Sequence, residues 1–113
     1  MEELPKYFYV FVRQDIPLAD QLCQVAHACL AAGKRFRHPN HTNLVLLSVP
    51  DLPALKEVED RCVKHQVGYF INFEPDDDMQ ETSIATEPVA GERRRLFSQY
   101  RLWKYPEINS AAA

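Results

Sequence analysis

Two short runs constrain this chain most. Residues 7–13 and 44–49 are close to unbroken series of aromatic, β-branched and leucine side chains, with none of the apolar–polar alternation of a half-exposed strand. A strand that is apolar on both faces has to be covered on both faces. Each run precedes a segment of helical period. Pro17 and Asp20 open the first, which runs to Gly33 as its expected C-cap, with Lys34 and Arg35 just beyond. Pro50 stops the second strand, Asp51 then serves as an N-cap, and Leu55, Val58 and Cys62 recur at three and four. A third strand is expected over 67–73 and a short fourth over 82–86, ending before Pro88. A short helix over 89–98, bearing Arg93, Arg94 and Arg95, and a tail segment over 100–103 complete the pattern. Strands alternating with helices predict an α/β domain with a largely parallel sheet and right-handed crossovers. Ligands in such folds sit beyond the carboxyl ends of the strands, where the first helix begins.

That first helix carries polar groups in register. Asp20, Gln24 and His27 stand at spacings of four and three and share one stripe, while Leu18, Leu22, Val25 and Cys29, with Ala26 and Leu30, form the expected anchoring side. A carboxylate, an amide and an imidazole in one line point to a site. The plainer account makes Asp20 a first-turn acid favoured by the helix dipole, Gln24 solvated and His27 a packed histidine with satisfied nitrogens.

The remaining composition narrows the class. A length of 113 residues fits one domain, expected over 1–109, and an apolar fraction of 46% with a net charge of −3 describes a globular protein. Residues 110–113 read as a disordered tail or an expression remnant. No apolar run approaches the ~18 residues of a membrane span and the first residues lack a leader pattern, so the expectation is a cytoplasmic protein with no membrane partner. Cys23, Cys29 and Cys62 form no C-x-x-C pair and read as reduced core residues. His38 and His41 lack matching cysteines, so no metal site is expected. The acidic residues Asp76, Asp77 and Asp78 read as a solvated loop, with weak magnesium binding as the alternative. Ser48 and Ser83 lie in strands without a nucleophile elbow.

Several segments in order carry a resemblance. These are a first strand ending Val12, Arg13, Gln14, Asp15; the helix motif Gln24, Val25, Ala26, His27, Ala28; the strand from Asn43 to Asp51; the closing Phe73, Glu74, Pro75, Asp76; and Thr82, Ser83, Ile84, Ala85. Together they resemble the type II peptidyl-tRNA hydrolase family, the archaeal and eukaryotic kind, over most of residues 7–104. The helix motif is the sharpest part, and residues 82–85 look like the family's Thr-Cys-Leu-Ala segment. The resemblance implies a three-layer α/β/α sandwich around a four-stranded mixed sheet with the last strand antiparallel. Two departures place the chain near a divergent branch, similar to the peptidyl-tRNA hydrolase domain-containing proteins. Ala19 and Asp20 stand where the family has Gly-Lys, which reverses the charge, and the segment from Glu74 to Glu81 replaces a glycine-bearing Asp-Ala-Gly-x-Thr loop.

The resemblance implies hydrolysis of the ester between a peptide, or an N-blocked amino acid, and the terminal ribose of tRNA. Such hydrolysis needs an activated water, a donor for the developing oxyanion and a proton for the leaving oxygen. His27, with an ordinary pKa of about 6.5, is suited to move that proton. Thr82 is expected to hydrogen-bond the substrate, Asp20 or Asp76 to orient the imidazole or act as base, and Gln24 to hold the histidine or the backbone. His27 and Thr82 rank above either aspartate. Lys34, Arg35 and Arg37, with Arg95 and its neighbours, are the expected phosphate contacts if they share one rim, since the global charge of −3 argues against strong nonspecific affinity for tRNA. No cofactor is expected, and a homodimer is the assembly the resemblance implies. The competing reading is a catalytically degraded member that binds RNA or a protein partner. A hydrolase acting on another ester or amide is a third, because a fold is not a function.

Overall fold

The computed structural model describes residues 4–38 and 41–105. Within them the chain runs β1 (Lys6–Arg13), α1 (Leu18–Arg35), β2 (Thr42–Val49), α2 (Leu52–Lys64), β3 (Tyr69–Glu74), a 3₁₀ turn (Asp76–Asp78), β4 (Gln80–Thr86), a 3₁₀ helix (Gly91–Phe97) and β5 (Arg101–Leu102). The strands form one mixed sheet in the order β3-β4-β1-β2-β5. β1 is central, as its doubly apolar sequence requires.

Residue parity along β1 divides the interior. Tyr9 and Phe11 enter one cluster with Leu47, Val49 and Ile84 from the sheet and Leu55, Val58 and Cys62 from α2. Phe8 and Val10 face the other way, toward Ala28 and Ala32 of α1. The register supports both sets, with Phe11 beside Leu47 and Ile84, and Val10 beside Leu46 and Ala85. Asp51 caps α2 as expected, its carboxylate accepting from the Ala54 backbone N–H at 3.0 Å.

The architecture departs from the sequence expectations in several places. The sheet has five strands rather than four, because Arg101–Leu102 pairs antiparallel with Ser48 and Leu47 at the β2 edge. Only β1 and β2 pair in parallel; β1–β4, β3–β4 and β2–β5 are antiparallel. The cause is the connection after β3, too short for a crossover helix, which turns the chain straight back as β4. Gly33 is not the C-cap: α1 continues through Lys34 and Arg35, whose charges suit the carboxyl end of the helix, and Phe36 closes it with its N–H on Ala32 O at 2.8 Å. The expected helix over 89–98 is the 3₁₀ helix.

The anchoring side of α1 also differs. Gln21, Gln24, Ala28 and Ala32 are its buried residues, whereas Leu22 and Leu30 are exposed. Small and amide side chains let the helix lie close to the sheet. Of the cysteines, Cys62 is buried, Cys29 half-buried and Cys23 exposed, and all three are free thiols. Burial pushes the Cys62 thiol up to about 12. No helix among the described residues is long and apolar enough to cross a membrane. The tail from residue 110 lies outside the described residues, as do positions 39 and 40 of the loop before β2.

Candidate functional site

The Gln24 side-chain amide is the centre of a polar cluster set between α1, β3 and β4. Its carbonyl oxygen accepts from the Thr82 hydroxyl at 3.0 Å and from the Asn72 amide, and its own NH₂ donates to Glu74 at 3.2 Å. Asn72 also donates to the Thr82 oxygen at 3.3 Å, and the Ser83 hydroxyl donates to the Gln24 backbone carbonyl at 3.0 Å. Gln24, Thr82 and Ser83 are buried. Polar groups removed from water at this depth need partners, and these supply one another.

A bulge makes the cluster. Asn72 pairs with Ser83, but the next residue, Phe73, pairs with Glu81, leaving Thr82 as an extra residue in β4. Strict alternation would send Thr82 to the α2 face with Ile84. The extra residue shifts the phase, so Thr82 reaches Gln24 on α1 while Glu81 turns to Lys56 on α2.

Glu74 is the carboxylate of this site. The Asp76 backbone N–H donates to it at 3.1 Å; that bond first, the Gln24 amide next, and to a small extent the charge of His27, hold its carboxyl below the usual carboxylate range. His27 is exposed on α1, one turn from Gln24. Asp20 is half-buried in the first turn and, among the described residues, its side chain makes no hydrogen bond or ion pair. Asp76 is exposed and meets the cluster chiefly through its backbone N–H, which donates to Glu74. Of the four expected catalytic residues, Thr82 is therefore at the centre but fully buried, its proton donated to Gln24 rather than presented to solvent. Glu74 and Asn72 are the two residues that sequence reasoning misses. The available signal for Glu74 was its place at the strand end opposite the helix motif.

Arg13 fixes the turn that follows Glu74. Its guanidinium donates to the Met79 carbonyl and, at 3.1 Å, to the Glu81 carbonyl, while a two-pronged pair at 2.9 Å ties it to Asp15. In this turn the backbone is left-handed at Asp77 (φ 52°), Asp78 (φ 56°) and Gln80 (φ 66°). Aspartate tolerates this region better than most residues, which is how a turn without glycine closes here.

The expected phosphate contacts are not gathered at the cluster. Lys34 lies ten residues along α1 from Gln24, about 15 Å of helix rise. Arg35 donates to the Tyr69 carbonyl at 3.4 Å at the far end of β3, Arg37 is exposed beyond the helix, and Arg95 borders a hollow lined by Val45 and Leu47 on the α2 side. Among the described residues, no group of three or more His, Cys, Asp or Glu side chains is arranged to hold a metal ion.

No family model matches the chain, and no curated protein matches it. A solved structure does: a protein of unknown function from Agrobacterium tumefaciens strain C58 aligns with 90% of this chain and 100% of its own, at a TM-score of 0.64 and 12% identity. At that identity the likeness is one of fold, and what the two chains share is the mixed α/β sheet with its helices.

Proposed function

We propose that this chain is a divergent esterase of the type II peptidyl-tRNA hydrolase kind, releasing a peptide or N-blocked amino acid from tRNA. One observation carries the reading. The two segments that hold the sequence resemblance, the helix motif at Gln24 and the strand segment at Thr82 and Ser83, meet in two hydrogen bonds, with Glu74 and His27 beside them. The two hydrophobic clusters on opposite parities of β1 support the three-layer α/β/α arrangement that belongs to this reading.

In the proposed reaction His27 takes a proton from water as the water attacks the ester carbonyl, then returns it to the departing ribose oxygen. Glu74, ionised at neutral pH, steadies the imidazolium formed in between. Gln24, Thr82 and Asn72 are positioning residues: an amide held through its oxygen by Thr82 and Asn72 directs its NH₂ at the Glu74 carboxylate. Asp20 has no step in this scheme. The test is single-turnover release of N-acetyl-aminoacyl groups from charged tRNA by the unsubstituted protein, His27→Ala, Glu74→Gln and Thr82→Ala. Release that collapses in His27→Ala and falls in the other two, with folding retained, supports the reading.

A second reading has its own support. Gln24 and Thr82 bond one another and are buried, as expected of a catalytically degraded member that keeps the fold while binding RNA or a protein. Absence of release above background from folded protein would favour it.

A further inference from the structure

We propose a second ligand site on the α2 side of the sheet, for an organic carboxylate with an apolar tail, distinct from the Gln24 cluster on the opposite side. Between β2, β5 and the 3₁₀ helix lies a hollow of about 370 Å³, within the size range of small-molecule pockets. Its walls are Val45, Leu47, Phe97 and Leu102, together with the rings of Tyr9 and Tyr100. α2 leaves this edge of the sheet open, and Leu102 is exposed there.

Charge selects the occupant. Arg94 and Arg95 both border the hollow and no Asp or Glu does, in a chain whose net charge is −3. Arg94 is held in place. Its Nε donates to the Tyr9 hydroxyl at 2.8 Å and its guanidinium lies 3.5 Å from the centre of the Tyr7 ring. A guanidinium carries five N–H donors, more than its two tyrosine partners take, so a held cation borders the apolar cavity. Pre-positioning lowers the ordering cost of binding an anion there. Arg95 is exposed and also borders a neighbouring hollow that contains Glu92. Two arginines over an apolar floor match a carboxylate head and a hydrocarbon tail, and a neutral molecule of the same shape would forgo the charge-assisted bonds.

The experiment titrates octanoate and, separately, 1-octanol into the full chain and follows backbone amide signals. Saturable shifts at residues 45–47 and 97–102 with octanoate, about ten-fold weaker with octanol, are expected. Arg95→Gln should weaken octanoate severalfold without altering octanol. Val45→Trp, which fills the cavity, should abolish both while the rest of the spectrum stays folded. Equal affinity for octanoate and octanol, shifts located elsewhere, or octanoate binding that survives Val45→Trp would overturn the proposal. Because release from tRNA is assayed on the other face, its loss and the loss of octanoate binding are separately visible.

Discussion

The two faces of one sheet are built on opposite rules. On the α2 face eleven buried hydrophobic residues form a single cluster, with Phe11 between Phe97 and Tyr100 at ring separations of 5.4 and 5.1 Å. On the α1 face four buried hydrophobic residues, Val10, Ala28, Ala32 and Ala85, make the cluster, and amides and hydroxyls fill the remaining contact with β3 and β4. Apolar burial is strong and non-directional, whereas a bonded amide network adds little net energy but fixes atoms in space. The first face supplies stability and the second supplies geometry.

That division can be broken from either side. The largest loss of stability is expected for Phe11→Ala, about 3–5 kcal/mol, because the ring is fully buried and its neighbours are other rings; chemical denaturation measures it. On the α1 face Gln24→Ala leaves Thr82, Asn72 and Glu74 without their shared partner and should cost about 1–3 kcal/mol. The same variant should lose most single-turnover release, so a variant that loses stability alone would show the network to be structural. Arg13→Met frees the Met79 and Glu81 carbonyls and should also cost about 1–3 kcal/mol, with faster amide exchange confined to residues 76–81. Lys56→Met removes a surface ion pair with Glu81 and should change stability by about 0–1 kcal/mol, less still at high salt.

The last effect is a titration. Burial, and then the hydrogen bond to Glu59, push the Tyr69 phenol up to about 12. The folded state therefore keeps its proton where an unfolded tyrosine, near 10, has lost it. Its contribution is complete below about pH 10 and declines as the pH rises toward 12. Tyr69→Phe should remove that contribution below about pH 10 and flatten part of the alkaline decline.

Much of the α2 face was legible in the sequence. The doubly apolar run at β1, the second at β2 and the three- and four-residue spacing of Leu55, Val58 and Cys62 report burial directly, because a fully covered strand and a packed helix each impose a pattern. Asp51 was readable as a cap for the same local reason. The α1 face was less so. Leu22 and Leu30 look like anchors but are exposed, while Gln21 and Gln24 look solvated but are buried, because the helix packs by closeness and hydrogen bonding rather than by bulk. Trp103 donates its indole N–H to Gln21 at 2.8 Å. Thr82 could be picked out by resemblance, but its partner could not, since the bulge beside it depends on pairing with a strand ten residues away. Glu74 escaped for a related reason: its role comes from a turn and an amide contributed by other elements.

Arg13 has a consequence for the order in which the molecule assembles. It ends β1, and its guanidinium reaches carbonyls 66 and 68 positions later in the chain. The turn between β3 and β4 can form as a local hairpin early, but its final left-handed shape needs β1 to be seated beside β4 first. Completion of the Glu74 environment therefore depends on β1 being docked against β4, and a chain opened at its central strand loses the anchor that shapes the turn beside that carboxylate.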